Sequence, residues 1–547
     1  MARDDSGYEP AVLPPGVSAA SFRAALAEFR AAVGAQWVLT TPEDLDLYRD
    51  AYSPFWGEGG ERRASAAVAP ASVEEVQAVM RAAHRHAIPI YPISTGKNLG
   101  YGGSAPNLSG SVVLDLKRMN RILEVDDRRH FAIVEPGVSY FEMYRHLREQ
   151  RLDVWLDVPG PGWGSLVGNA LDHGVGDTWG IYRSHFSAHC GMEVVLADGT
   201  LLRTGMGALP GAKTWGEYPL GYGPSVDGLF AQGNFGVVTK MGFWLLPAPE
   251  HYLTGTITAP RRADIVPLID LVNRLEHQGI GGEPLYGSPL GAESGHADYQ
   301  VLTAGGRFPS DAELDAFAAA RARPSWSVKL QFYGPREVVQ AQWAAARRLA
   351  AARIEGAGFA DEREVALPIS PAELETVDPI AFGVPSLRTF ALTARSPRNP
   401  QGSDGHLFFS PVIPKSGEAL LEFQRVMWEA FVELGLPPQV GPFTTPNTWI
   451  FHGFVCVVVF LVSRSDPAHN AGVRAAFEHL IGVAARRGWG EYRTGPAFQD
   501  AVRATYSFND HALLRFQEKL KDAVDPKGIL AAGRYGLWPA AMRGKRS

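Results

Sequence analysis

Residues 92–106, PISTGKNLGYGGSAP, hold four glycines within eight positions directly after a short apolar run. A chain this rich in glycine turns sharply and brings its amides close to a partner, often a phosphate. The residues ahead of it predict how the loop is delivered. Residues 66–69 form a short buried strand closed by Pro70, and Ser72 with Glu75 is a capping-box signature. Val73, Val76, Val79, Met80, Ala83 and Ala87 then recur at the helical period, and a strand over 88–93 leads into the loop. Two common phosphate loops are excluded. A Walker A loop needs a Gly five residues before its Gly-Lys pair and a Ser or Thr after it; here Tyr91 and Asn98 occupy those positions around Gly96 and Lys97. A dinucleotide fingerprint needs GxGxxG opening a helix, whereas Gly96, Gly100, Gly102 and Gly103 have another spacing and no helix pattern follows.

Helices are predicted over 22–33 and from about Thr41. After the loop, strand-like runs occupy 111–116, 122–125 and 131–134, followed by an amphipathic helix over 139–151. A second glycine-dense region spans 159–176, and strands follow through 192–200 and 236–240. Pro247 and Pro249 mark a boundary. From about 255 to 489 longer helices, such as 335–354 and 417–434, alternate with apolar strands, and the window 451–462 predicts one buried strand. A last helix is predicted over 513–524. This order lacks the regular alternation of a doubly wound parallel sheet and predicts an α+β fold.

With 547 residues, the chain exceeds one ordinary core, so two or three domains are expected. The net charge of −6 argues against nucleic acid as the main partner. The only cysteines, Cys190 and Cys456, exclude a disulfide framework and a four-thiolate zinc site. His185 and His189 lie four apart without an evident third ligand, so no metal is expected. The first residues lack a basic start followed by an apolar stretch, and 451–462 is too short to span a bilayer. A cytoplasmic protein without a membrane partner is the expectation.

Eight segments, in order along nearly the whole chain, resemble the flavoproteins of the vanillyl-alcohol oxidase and p-cresol methylhydroxylase family. They are 92–106, VEPGVSY at 134–140, LDVPGPGWGSLVGNAL at 156–171, GMEVVLADGTLLRTGMGALPG at 191–211, GYGPSVDGLFAQGNFGVVTKMGFWLLP at 221–247, GHLFFSPV at 405–412, WGEYRT at 489–494 and DPKGILAAGR at 525–534. The resemblance implies FAD and a two-domain α+β fold of the PCMH type (vanillyl-alcohol oxidase fold) with a cap domain. An FAD-binding domain would take 1–255 and be completed by 490–547, with the cap over 256–489. Loop amides from Ser94 through Thr95, Gly96 and Lys97 to Asn98 would hold the diphosphate. Pro92, Leu99, Pro159, Gly160, Gly168, Asn169, Gly191, Glu193, Gly236, Val237 and Arg534 are further implied cofactor contacts. His406 stands where the oxidase type carries the histidine bonded covalently to the flavin, although no histidine precedes His84 to match the one that assists attachment.

Family members that oxidise para-substituted phenols bind the phenolate with two tyrosines and an arginine, which match Tyr101, Tyr492 and Arg493 in this sequence. Phe408 would line the substrate pocket. By residue pattern alone, 491–493 reads as a strand with a surface ion pair. The implied reaction is hydride transfer from the benzylic carbon to flavin N5, with oxygen or an electron-acceptor protein beyond it and a dimer or a multiple of one as the assembly. This chain departs from the pattern where the oxidases carry an aspartate near N5: Asp157, Val158 and Pro159 are followed by Gly160. Gly174, Val175 and Gly176 are followed by Asp177 in place of an aromatic residue, and 178–185 is about two residues longer. Asp177 is either a replacement base or a solvated loop residue. These departures predict a para side chain bulkier than, or different from, that of vanillyl alcohol. The rival readings are oxidation of a non-phenolic alcohol and a redox-inactive binding protein derived from the family.

Overall fold

The helix ahead of the glycine-rich loop forms as its pattern predicts, over Val73–His86. Ser72 Oγ accepts a hydrogen bond from the Glu75 amide at 3.2 Å, while the Glu75 carboxylate reaches back to the Ala71 amide rather than to Ser72. The computed structural model describes residues 10–543 apart from 99, 179–181, 292, 294–295, 389–403 and 451, with 448–450 described as backbone only. Leu99 and part of the longer 178–185 stretch therefore lie outside the described residues.

The helix connects strands Ala66–Val68 and Ile90–Ile93, which both pair in parallel with Val112–Asp115 between them; Val38–Leu39 adds an antiparallel edge. Helices Ala19–Val33 and Val73–His86 bury Phe22, Leu26, Phe29, Val76, Val79 and Met80 against this sheet. The far edge of Ile90–Ile93 receives the C-terminal segment: the Ile90 amide donates to the Ile529 carbonyl at 2.6 Å, and the Ala531 amide to the Ile90 carbonyl at 2.7 Å. Lys521, 0% exposed, fastens this return. Its Nζ donates to Asp525 Oδ2 at 2.6 Å and to the Asn234 and Leu530 carbonyls at 2.7 Å each. The helix carrying Lys521 runs over Phe508–Val524, but residues 509–511 have positive φ, so its regular part starts later, near the predicted 513.

A second, antiparallel sheet has the order Ile122–Asp126, Phe131–Val134, Val237–Trp244, His189–Val195, Leu201–Arg203. The helix Tyr140–Glu149 packs on it behind a full capping box of Ser139 and Glu142. A third sheet follows, with Trp326–Gly334 and His251–Ala259 at its centre, covered by helices Ile265–His277 and Arg336–Ala351. The mixture of separate sheets and helices is the expected α+β class.

The structure corrects one expectation here. Residues 451–462 form two strands, Gly453–Val455 and Val458–Leu461, rather than one. They pair antiparallel with Val412–Pro414 and His406–Phe409, making a ribbon broken at Ser410 and Pro411. Ser410 is turned toward Tyr101 at that break, bonding its hydroxyl at 2.7 Å. Continuous apolar character does not reveal such a break, because the facing strands supply it.

Candidate active site

The ribbon has two faces with opposite duties. Side chains alternate across a strand, so His406 and Phe408, with Val457 and Val459, line a cavity. Leu407, Phe409, Val458 and Phe460 point the other way into the apolar core with Phe423, Met427 and Phe477. The glycine-rich loop packs on the cavity side. At Gly100, φ is +77° and an added Cβ would lie 2.6 Å from the Phe408 ring, so only glycine lets the loop approach the ribbon. Gly96 has the same need: φ is +67°, and a Cβ there would meet the Ser104 hydroxyl at 2.1 Å.

The cavity holds about 620 Å³, within the ~300–1,000 Å³ range of small-molecule sites. The structure brings to its wall Pro92, Ser94, Thr95, Gly96, Lys97 and Asn98 from the loop, and Pro159, Gly160, Gly168 and Asn169 from the second glycine-dense region. Gly236, Val237, His406, Phe408, Arg493, Arg534, Tyr101 and Asp177 also line it. A loop with a lysine and no carboxylate over 94–98, facing a trough with several glycines in its wall, suits a long ligand with an anionic middle such as FAD. Two implied contacts are not brought there. Gly191 lies in the second sheet, where a Cβ would strike the Trp215 indole at 2.2 Å, so its glycine serves packing. Glu193 is 1% exposed and spends its carboxylate on Arg203 and Lys240, each at 2.8 Å, and on the Thr239 hydroxyl at 3.1 Å.

Tyr101 converges with Tyr492 and Arg493 although it precedes them by nearly four hundred residues. The Arg493 guanidinium carbon lies 3.9 Å from the Tyr101 ring centre and 5.5 Å from that of Tyr492. The two tyrosine rings stand edge to face at 6.4 Å, and their hydroxyls interact. Tyr492 touches Tyr101 from behind the cavity wall; Gln232 Nε2 fixes its carbonyl at 3.1 Å. Burial raises the Tyr101 hydroxyl above its usual range, with Arg493 opposing, so it remains a donor.

Glu491 is 6% exposed, which excludes a surface ion pair. Loss of water pushes its carboxyl up to about 8, and its Oε1 accepts the Ser410 amide at 2.7 Å.

Half-buried Asp177 is pushed up to about 7, first by loss of water and then by the Asp157 and Asp378 carboxylates. The longer 178–185 stretch is tied down behind it: the Thr178 amide donates to Asp157 Oδ1 at 3.0 Å, and His185 Nε2 meets Asp157 Oδ2 at 3.2 Å. His189 pairs with Asp227 at 3.1 Å, so each histidine of this pair has its own carboxylate. Among the described residues, no group of three or more His, Cys, Asp or Glu side chains is placed to hold a metal ion. No helix is long and apolar enough to cross a membrane among the residues described. Burial drops the His406 imidazole to about 4, and its ring packs edge-on against Tyr52 at 4.8 Å and against Phe408 at 4.5 Å.

Asp172, which sequence reasoning passed over, lies at the centre of this wall. It caps the C-terminus of the short helix Leu166–Leu171 and is 3% exposed. Asn98 Nδ2 donates to its Oδ2; Arg534 Nη2 and the Tyr535 hydroxyl donate to its Oδ1 at 3.1 and 2.5 Å. Arg493 Nη1 donates to its carbonyl at 2.9 Å and lies 3.7 Å from Oδ2. A carboxylate at a helix C-terminus opposes the dipole, which is the one local signal that marked it.

Comparison with known proteins agrees with this architecture. An FAD binding domain family model matches residues 64–205. The 4-cresol dehydrogenase [hydroxylating] flavoprotein subunit of Pseudomonas putida is 35% identical over 96% of this chain and 98% of its own. The structure of a 4-ethylphenol oxidase from Gulosibacter chungangensis, in complex with isoeugenol, superposes with a TM-score of 0.80 at 32% identity, covering 97% of this chain and 100% of that one. A p-cresol methylhydroxylase structure with substrate bound also gives 0.80, at 33% identity over 96% and 99%. Identity at this level along almost the entire length makes the chain a member of the vanillyl-alcohol oxidase and p-cresol methylhydroxylase family of FAD-dependent oxidoreductases.

Proposed function

We propose that this enzyme oxidises para-substituted phenols, such as 4-alkylphenols, 4-hydroxybenzyl alcohols or lignin-derived phenols. The observation that carries this reading is the cluster of Tyr101, Tyr492 and Arg493, with the Arg493 cation 3.9 Å from the Tyr101 ring centre at the cavity wall. The names of the relatives, for 4-cresol and 4-ethylphenol, support the same substrate class.

Amides of 94–98 and the Lys97 ammonium would hold the FAD diphosphate, with Arg534 along the same trough. When bound, FAD accepts a hydride at N5 from the carbon attached to the phenol ring. The protein's part is to make that carbon a good donor. The Tyr101 phenol, backed by Tyr492, and the Arg493 guanidinium stabilise an ionised substrate hydroxyl, lowering its pKa and pushing electrons toward the para position. Loss of the hydride leaves an electron-poor quinone methide, which takes up water or loses a proton from its side chain. Asp177, which lines the same cavity as Gly160, is the acceptor for that proton. Oxygen or an electron-accepting protein takes the electrons afterwards.

A group titrating near 7 is half deprotonated at neutral pH, the best compromise for a general base. Below that value Asp177 is protonated and cannot accept a proton. Turnover at saturating substrate therefore rises with pH through about 7, the value to which burial lifts Asp177. The Asp177→Asn variant should lose that acidic limb and most of its kcat; a wild-type limb in the variant would remove Asp177 from the mechanism.

His406 is proposed as the covalent attachment point. Its ring stays neutral down to about pH 4, so an unprotonated nitrogen is present at working pH. Acid precipitation should leave the yellow colour in the pellet, and His406→Ala should release it. Release from the wild-type protein would overturn the bond. The reading as a whole is tested by anaerobic flavin bleaching with a panel of para-substituted phenols and para-substituted non-phenolic alcohols, followed by air. Bleaching by the alcohols alone would favour the non-phenolic rival, and a colourless protein that refuses FAD would favour the redox-inactive one.

A further inference from the structure

We propose that Asp172 is a positioning residue that sets the net positive charge the cavity offers to an anion, acting through Arg493 and Arg534. One carboxylate serves two guanidinium groups: Arg534 Nη2 lies 3.1 Å from Oδ1 and Arg493 Nη1 lies 3.7 Å from Oδ2. Arg493 and Arg534 bring two positive charges to this wall, and the Asp172 carboxylate offsets one of them. The carboxylate is 3% exposed, so water screens this balance little.

Local stability gives no reason for an acid at this place. It lies at a helix C-terminus, where the dipole disfavours it, so the helix it ends does not account for it. What it does instead is join three distant segments at one point. Asn98 brings the tip of the glycine-rich loop, Arg493 the tyrosine pair, and Arg534 with Tyr535 the C-terminal return. Arg534 reaches on to the Tyr91 hydroxyl at 2.9 Å, where the loop leaves its strand. The titratable groups facing Asp172 are thus Arg493, Tyr492, Arg534 and Tyr535, with its neighbour His173, whose imidazole burial holds below its usual range.

The inference rests on the phenol reading for the identity of the anion. Its test uses the FAD-loaded protein and 4-nitrophenol as a probe, measuring by difference absorbance the pH midpoint at which the bound probe becomes its phenolate. Asp172→Asn keeps the shape of the side chain and removes one negative charge beside both arginines. The midpoint is expected to fall by about one pH unit, a tenfold gain for the anion. The double variant Asp172→Asn with Arg534→Gln restores the wild-type net charge and should return the midpoint toward the wild-type value. A midpoint that stays or rises in Asp172→Asn, or that fails to return in the double variant, overturns the proposal; a packing role alone would change thermal stability without this reversal. Should Asp172→Asn not fold, Asp172→Glu keeps the charge and must keep the midpoint. Wild-type protein that binds the probe without ionising it counts against the phenolate site itself. Wild-type protein that ionises it while Asp172→Asn leaves the midpoint unmoved counts against Asp172 alone.

Discussion

Arg493→Ala is expected to slow anaerobic flavin reduction by a 4-alkylphenol about 10²–10³-fold, the usual effect of removing one group that stabilises a developing anion, ~3–4 kcal/mol. The guanidinium is only 11% exposed, and the groups around it are two neutral phenols and the shared Asp172 carboxylate. Among the described residues Arg493 is the cation that stacks on Tyr101, so Arg534 on the far side of Asp172 does not make up the loss in full. The loss should fall on the reduction step more than on binding, because charge on the ring oxygen grows as the hydride departs. Raising the pH toward the free phenol's own pKa should recover part of the rate. Tyr101→Phe, which removes one donor and retains the ring, should slow the same step to a smaller degree. Stopped-flow traces decide the matter: unchanged rates in both variants would leave the tyrosine pair as packing and favour the non-phenolic alcohol.

The largest stability effect is expected from Lys521→Met. Its ammonium has three acceptors and no exposed surface, and removing it strands the Asp525 carboxylate, which is 1% exposed. Breaking a buried ion pair by deleting one partner costs about 3–5 kcal/mol. Urea denaturation followed by tryptophan fluorescence measures the loss. Because the same ammonium holds the Leu530 carbonyl beside Ile90, the variant should also retain FAD poorly. Replacing both partners, Lys521→Met with Asp525→Leu, should recover part of the stability, since the stranded charge is then gone as well. A single-variant loss below about 1 kcal/mol would mean that water reaches the site.

The features legible in the sequence were those governed by neighbours in the chain. The helix at Val73–His86, its Ser72 cap and the strand Phe131–Val134 follow from local patterns. The glycine-rich loop was recognisable too, although Gly96 and Gly100 are required by Ser104 and Phe408 as well as by any ligand. What stayed hidden was set by distant partners. Asp172 gains its meaning from Arg493 and Arg534, more than three hundred residues away, and nothing near it in the chain announces them. Glu193 fell within a matching motif, yet its carboxylate is turned to Arg203 and Lys240, because strand alternation decides which face a motif residue shows. The break in 451–462 arises from pairing with two different strands, which hydropathy along one strand does not encode.

The two-faced ribbon bears on how substrate range changes by mutation. Phe408, Val457 and Val459 contact the cavity, while their immediate neighbours Leu407, Val458 and Phe460 hold the core. Single substitutions at the first set can reshape the pocket with little toll on folding, whereas a one-residue insertion or deletion would exchange the two sets and lose both at once. Libraries aimed at new phenols should therefore vary these positions by replacement and leave the length of the strands alone.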